Sequence, residues 1–136
     1  MRTAEVLLVV ATAVHAGFQL VVTLVVYPAF ADAPEERWTE HHAAHGRRIG
    51  PVVGVVYGAL LVTAMAVLSS RVSVWTALAL VATGAAFLLT ALVAVPAHQA
   101  LSPVREPEAL RRLLLADRLR LLTALVAAAA ALVAAV

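Results

Sequence analysis

The sequence predicts an all-α protein: an antiparallel bundle of four membrane-spanning helices, with a short interfacial helix between the first and second spans. Two observations predict it. The chain is 63% hydrophobic with a mean hydropathy of +0.96, where a soluble domain is nearer half apolar. Its charged residues, 13% of the chain, are clustered and set off four largely apolar segments, each long enough for a hydrocarbon layer of about 30 Å.

The first span is expected over about 4–30. Val6 to Phe30 carries no formal charge over 25 residues, too long for the apolar core of a signal peptide. A polar stripe runs down it: Thr12, His15, Gln19, Thr23 and Tyr27 recur every three or four residues and share one helix face. Polar groups in hydrocarbon are expensive, so this face is expected to point into protein and to mark a site. His15 serves there as an interhelical hydrogen-bonding group, a haem axial ligand or a polar wall of a pocket.

A short interfacial helix is expected over about 33–46. Pro34 suits a helix start, good helix formers follow, and Gly46 suits a stop. Trp38 is expected to anchor it at headgroup level. The second span is expected over about 49–69, with Pro51 in its first turn. Gly50, Gly54 and Gly58 form a repeated small-residue face. Such a face lets another helix approach closely, either within the bundle or in a homo-oligomer.

The third span is expected over about 72–97. Thr76, Thr83 and Thr90 fall at spacing seven and lead to His98. Pro103 and Pro107 then break helicity. The fourth span is expected over about 108–136, in one membrane domain covering 1–136. Only its last 16 residues, from Leu121, are free of charge. Asp117, Arg118 and Arg120 therefore need partners or the interface; snorkelling to headgroups suits Arg111 and Arg112.

The ten basic residues are all arginines. Eight of them (Arg37, Arg47, Arg48, Arg105, Arg111, Arg112, Arg118 and Arg120) fall at one end of such a bundle, and Arg2 and Arg71 at the other. The positive-inside rule places the arginine-rich loops in the cytoplasm and the protein in the cell membrane. No dense basic stripe with exposed aromatics exists, which argues against a nucleic-acid partner. The absence of cysteine excludes disulfides, thiolate catalysis and iron–sulfur clusters.

Up-down topology brings chemistry-bearing residues to one end: Tyr27, Trp38, His41, His42, His45, His98, Gln99, Asp117, Arg118 and Arg120. Histidine titrates near neutrality, ligates metals and acts as a general base. His41 and His45 stand at i, i+4, and His98 supplies a third nitrogen, a set suited to copper, iron or zinc. His42 competes with His41 for the inward position, because Trp38, His42, His45 and Ile49 also form one stripe. Arg120 suits an anionic oxygen.

Several of these segments resemble a known family. Gly17 with the run to Tyr27-Pro28-Ala29-Phe30, the segment Trp38…His41…His45…Arg48-Ile49, Thr90…Val95-Pro96-Ala97-His98-Gln99-Ala100-Leu101 and the arginine-containing start of the fourth span are similar to the small four-helix anthrone-oxygenase-like membrane proteins. Where that family often carries asparagine after the proline of the third span, this chain carries His98. The named members are linked to oxidation of tricyclic anthrones to quinones with dioxygen. The resemblance implies an oxidoreductase or oxygenase on an apolar aromatic substrate. His45 or His98 would then act as base and Arg120 would hold the resulting phenolate, with His15, Gln19, Tyr27, Trp38, Gln99 and Arg118 as substrate contacts. A carbanion of this kind reacts with dioxygen directly, so a metal or haem is optional. The alternative is a non-catalytic haem-, quinone- or metal-binding subunit, or an accessory subunit of a membrane complex.

Overall fold

The computed structural model describes residues 3–69 and 72–136. Arg2 and Arg71, the two arginines expected at the sparsely charged end, lie outside the described residues. Helix α1 spans Thr3–Val21, widens into a π turn at Val22–Val26 and continues as α2, Tyr27–Ala31. A 3-10 turn at Glu35–Arg37 leads into α3, Trp38–Leu68. Helix α4, Val74–Leu89, passes through a second π turn at Thr90–Ala94 into α5, Val95–Leu101. Helix α6 is Pro107–Ala135. Four segments are long and apolar enough to cross a membrane: Thr3–Ala31, Glu35–Leu68, Val74–Leu101 and Pro107–Ala135.

Local chemistry sets these boundaries. Ser73 caps α4 by accepting from the Thr76 amide at 3.1 Å. Glu106 caps α6 by accepting from the amides of Glu108 and Ala109, and Pro107 takes the first turn, where its missing donor costs nothing. Each π turn comes just before a proline, Pro28 in one case and Pro96 in the other. A proline ring clashes with the carbonyl four residues earlier, and a widened turn relieves the clash.

Helix α6 is the centre of the bundle. It packs against α1 and α4 through Ala116, Ala124, Ala127, Ala130 and Ala131, whose small side chains permit close approach. Helix α3 packs on α1 and scarcely touches α4, which leaves a seam between them. Two buried clusters close the ends. Tyr27, Phe30, Trp38, Leu101 and Leu113 pack at the arginine-rich end, and Leu8, Val67, Ala79, Ala130 and Ala131 at the other. Val55, Val74, Val81, Leu24 and Leu92 point outward, as a lipid-facing surface requires.

Three expectations are corrected. The interfacial segment is not set apart from the second span, because α3 runs unbroken through Gly46 and Pro51. An interior glycine costs only about 1 kcal/mol relative to alanine, and backbone groups at the membrane have no better partner than the helix itself. Trp38 is not a headgroup anchor. It is 2% exposed, donates from Nε1 to the Leu101 carbonyl at 2.8 Å, stacks near Phe30 and lies under Arg105. Of the two uses expected for Gly50, Gly54 and Gly58, close packing within the bundle is not found: a Cβ added at any of them would meet nothing within 4 Å.

Candidate functional site

The stripe on the first span turns inward. Thr12, His15 and Gln19 have no exposure, and Tyr27 is buried. Thr12 returns its hydroxyl to the Leu8 carbonyl at 2.8 Å, so it is satisfied by its own helix. His15 lies edge-on to Tyr57, ring centroids 5.2 Å apart. Gln19 donates from Nε2 to Asp117 Oδ1 at 2.5 Å.

Asp117 also pairs with Arg120, Nη2 to Oδ1 at 3.4 Å. Both side chains are almost wholly enclosed. From Arg120 the hydrogen bonds continue. Its guanidinium reaches Tyr27 Oη at 3.4 Å and Thr90 Oγ1 at 3.5 Å, and Thr90 meets the Tyr57 hydroxyl at 2.7 Å. Tyr27 Oη lies 3.2 Å from His98 Nε2, and His98 Nδ1 lies 3.3 Å from His42 Nε2. One connected chain therefore links all four spans, from Gln19 deep in the bundle to His42 at its arginine-rich end.

Beside this chain lies a chamber of about 130 Å³. Its polar wall is Tyr27, His98, Arg120 and Thr90, with His45 contributed by α3. The rest is apolar: Phe18, Val22, Ile49, Val53, Ala94 and Val95, with Gly50. Both π turns contribute to it, through Val22 on one side and Thr90 and Ala94 on the other. The chamber adjoins two clefts that share His45 and Ile49 with it. One, of about 220 Å³, lies in the seam against α5; the other, of about 420 Å³, lies against α2 and includes Val26, Phe30, His41 and Arg48.

The sequence-predicted residues sort clearly against this geometry. His45, His98, Arg120 and Tyr27 line the one chamber. Gln19 reaches it through Asp117, and His15 sits a layer deeper against Tyr57. Gln99 lines the outer seam. Trp38 is structural, Arg118 faces outward on α6, and His41 is exposed in the outer cleft.

His42, not His41, joins the histidine layer. Its ring lies 5.5 Å from that of His98, and His45 stacks on His98 at 5.7 Å. The Trp38, His42, His45 stripe carried that signal. The metal set His41, His45 and His98 does not fit. Among the described residues no three His, Asp or Glu side chains converge on a metal position. Both ring nitrogens of His98 are already engaged, by Tyr27 and His42, and a neutral imidazole has only one lone pair to offer a metal. Haem at His15 fits no better, since that ring is wholly enclosed by the protein.

Missed from the sequence were the apolar walls and the part played by Pro28 and Pro96. A proline's clash with its own helix is local, but what a widened turn does depends on which neighbouring helix receives it. No protein-family model, curated protein or solved structure matches the chain.

Proposed function

We propose that this protein is a multi-pass membrane oxidoreductase of the oxygenase type, acting on an apolar aromatic molecule that carries an acidic C–H or O–H bond. The observation that supports it is the placement of His45, His98 and Arg120, the three groups the chemistry needs, on the wall of one otherwise apolar chamber. A substrate ring enters from the bilayer. An imidazole nitrogen of His45 or His98 takes its acidic proton, and the guanidinium of Arg120 holds the oxyanion that develops. In a site without water that electrostatic hold is stronger than at a surface. With an anthrone, dioxygen accepts the electrons from the resulting carbanion, one oxygen atom enters the ring as the new carbonyl, and the other leaves as water. No metal is required in this sequence of steps. The arginine-rich end, carrying Arg37, Arg47, Arg48, Arg111 and Arg112, faces the cytoplasm.

The test is anthrone conversion and oxygen uptake by purified protein in lipid nanodiscs. His98→Gln and His45→Gln should each fold, and at least one should lose about 10²–10⁴-fold in turnover, the range for a lost general base. Turnover unchanged in both variants would overturn the assignment. A second reading, a binding subunit without catalysis, is favoured by the engagement of both His98 nitrogens; it predicts tight ligand binding with no oxygen uptake.

A further inference from the structure

The size and polarity of the chamber narrow the ligand beyond an apolar aromatic. We propose that it takes the ring of a single-ring hydroquinone, or of the corresponding quinone, whose hydrocarbon tail leaves through the seam between α3 and α5 into the bilayer. This rests on the reading that the chamber is the ligand site.

Size sets the ring count. The chamber is about 130 Å³, and an apolar cavity of about 150 Å³ admits benzene. One ring fills it, whereas a fused tricycle would have to project outside. Polarity sets the oxygens. Polar groups stand at two depths, His45 and His98 toward the arginine-rich end and Arg120 and Thr90 toward the bundle interior, with the Tyr27 hydroxyl between them, 3.2 Å from His98 Nε2 and 3.4 Å from Arg120 Nη2. A ring oxygenated at opposite ends satisfies both depths, and a ring with one oxygen leaves one of them facing carbon.

The inner end in particular asks for an acceptor. Arg120 lines the chamber, and its terminal nitrogens make only long contacts to neutral groups there, Nη1 to Thr90 Oγ1 at 3.5 Å and Nη2 to Tyr27 Oη at 3.4 Å. A guanidinium so placed has donor capacity left for a ligand oxygen. At the outer end the His45 imidazole, which lines the chamber, can donate to a quinone carbonyl or accept from a quinol hydroxyl.

The tail has a path. The chamber continues past His45, Ile49, Val95 and His98 into the seam cleft. Gly46 lines that cleft and Gly50 the chamber, and a Cβ at either would meet nothing within 4 Å. Because α3 and α4 scarcely touch, the seam stays open toward lipid.

The test measures binding in nanodiscs, with protein-free nanodiscs as the blank. The probes are a decyl-tailed benzoquinone and anthrone. The decyl quinone should bind at least tenfold tighter than anthrone. Gly46→Trp, at a position that lines the seam and where an added Cβ meets nothing within 4 Å, should weaken the decyl quinone at least tenfold, and Gly58→Trp, about three turns further along the same helix, should leave it unchanged. If anthrone binds and is oxidised while the decyl quinone fails to bind, this inference is overturned and the functional reading stands. If neither binds, both fall. If the two tryptophan variants behave alike, the seam path is wrong.

Discussion

The ion pair between Asp117 and Arg120 allows a quantitative test of the bundle's interior. Both side chains are nearly enclosed, at 2% and 8% exposure, and Asp117 has Gln19 as a further donor. Arg120→Met keeps an unbranched, flexible but shorter stem and removes the charge. Asp117 is then left with one neutral donor in a low-dielectric interior. Breaking a buried pair in this way costs about 3–5 kcal/mol, or roughly a 10²- to 10³-fold or larger fall in the folded-to-unfolded ratio at about 1.4 kcal/mol per decade. Replacing both partners, Asp117→Leu with Arg120→Met, removes the unpaired charge as well as the pair. Such replacements are often neutral or stabilising, so the double variant should recover to within about 1 kcal/mol of the parent. It should still fail to bind ligand, because Arg120 is part of the chamber wall. The assay is reversible unfolding in mixed micelles with increasing denaturing detergent, followed by circular dichroism. A single variant within about 1 kcal/mol of the parent would refute the reasoning, since the pair would then be solvated. A double variant as unstable as the single would refute it too.

Other outcomes follow from the same geometry. Pro96→Ala restores an amide donor and removes the clash that widens the turn at Thr90–Ala94, so the helix should regain part of the roughly 3 kcal/mol an interior proline costs; ligand affinity should fall as Thr90 and His98 shift, read by unfolding and binding together. Trp38→Phe removes the bond to the Leu101 carbonyl and should cost about 1–3 kcal/mol in the same unfolding assay. In a Trp75→Phe background, Trp38 should resist an aqueous fluorescence quencher, whereas a headgroup anchor would be quenched. Gly54→Leu should not lower stability, because the added side chain meets open space; a loss above about 1 kcal/mol would mean that the glycine face is packed after all.

Much of the architecture was legible in local pattern. The polar residues of the first span share a face at helical spacing, and hydrocarbon allows such a face only one direction, so His15, Gln19 and Tyr27 had to turn inward. Arg120 was legible for a similar reason, as the deepest charge on an apolar helix. The errors came where a residue has two uses that differ only by its neighbours. Trp38 suits a membrane interface or a core, and the Leu101 carbonyl decided it. His41 and His42 are adjacent, and a rotation of α3 by one position decides which of them meets His98. The glycines of α3 are compatible with a packed or an open face, and the preference of α6 for α1 and α4 left them open.

The sequence by itself determined that the chain forms four apolar helices, which faces carry polar groups, and where proline disturbs the ladder, because hydropathy, helical period and backbone chemistry are properties of neighbours along the chain. Tertiary structure alone decided which polar groups meet. The pairing of Gln19 with Asp117, of Tyr27 with both Arg120 and His98, and the closing of a chamber between two widened turns depend on the rotation and depth of each helix against the others. Those are set by the fit of alanines on α6 against whole helix surfaces, and no stretch of sequence contains that information.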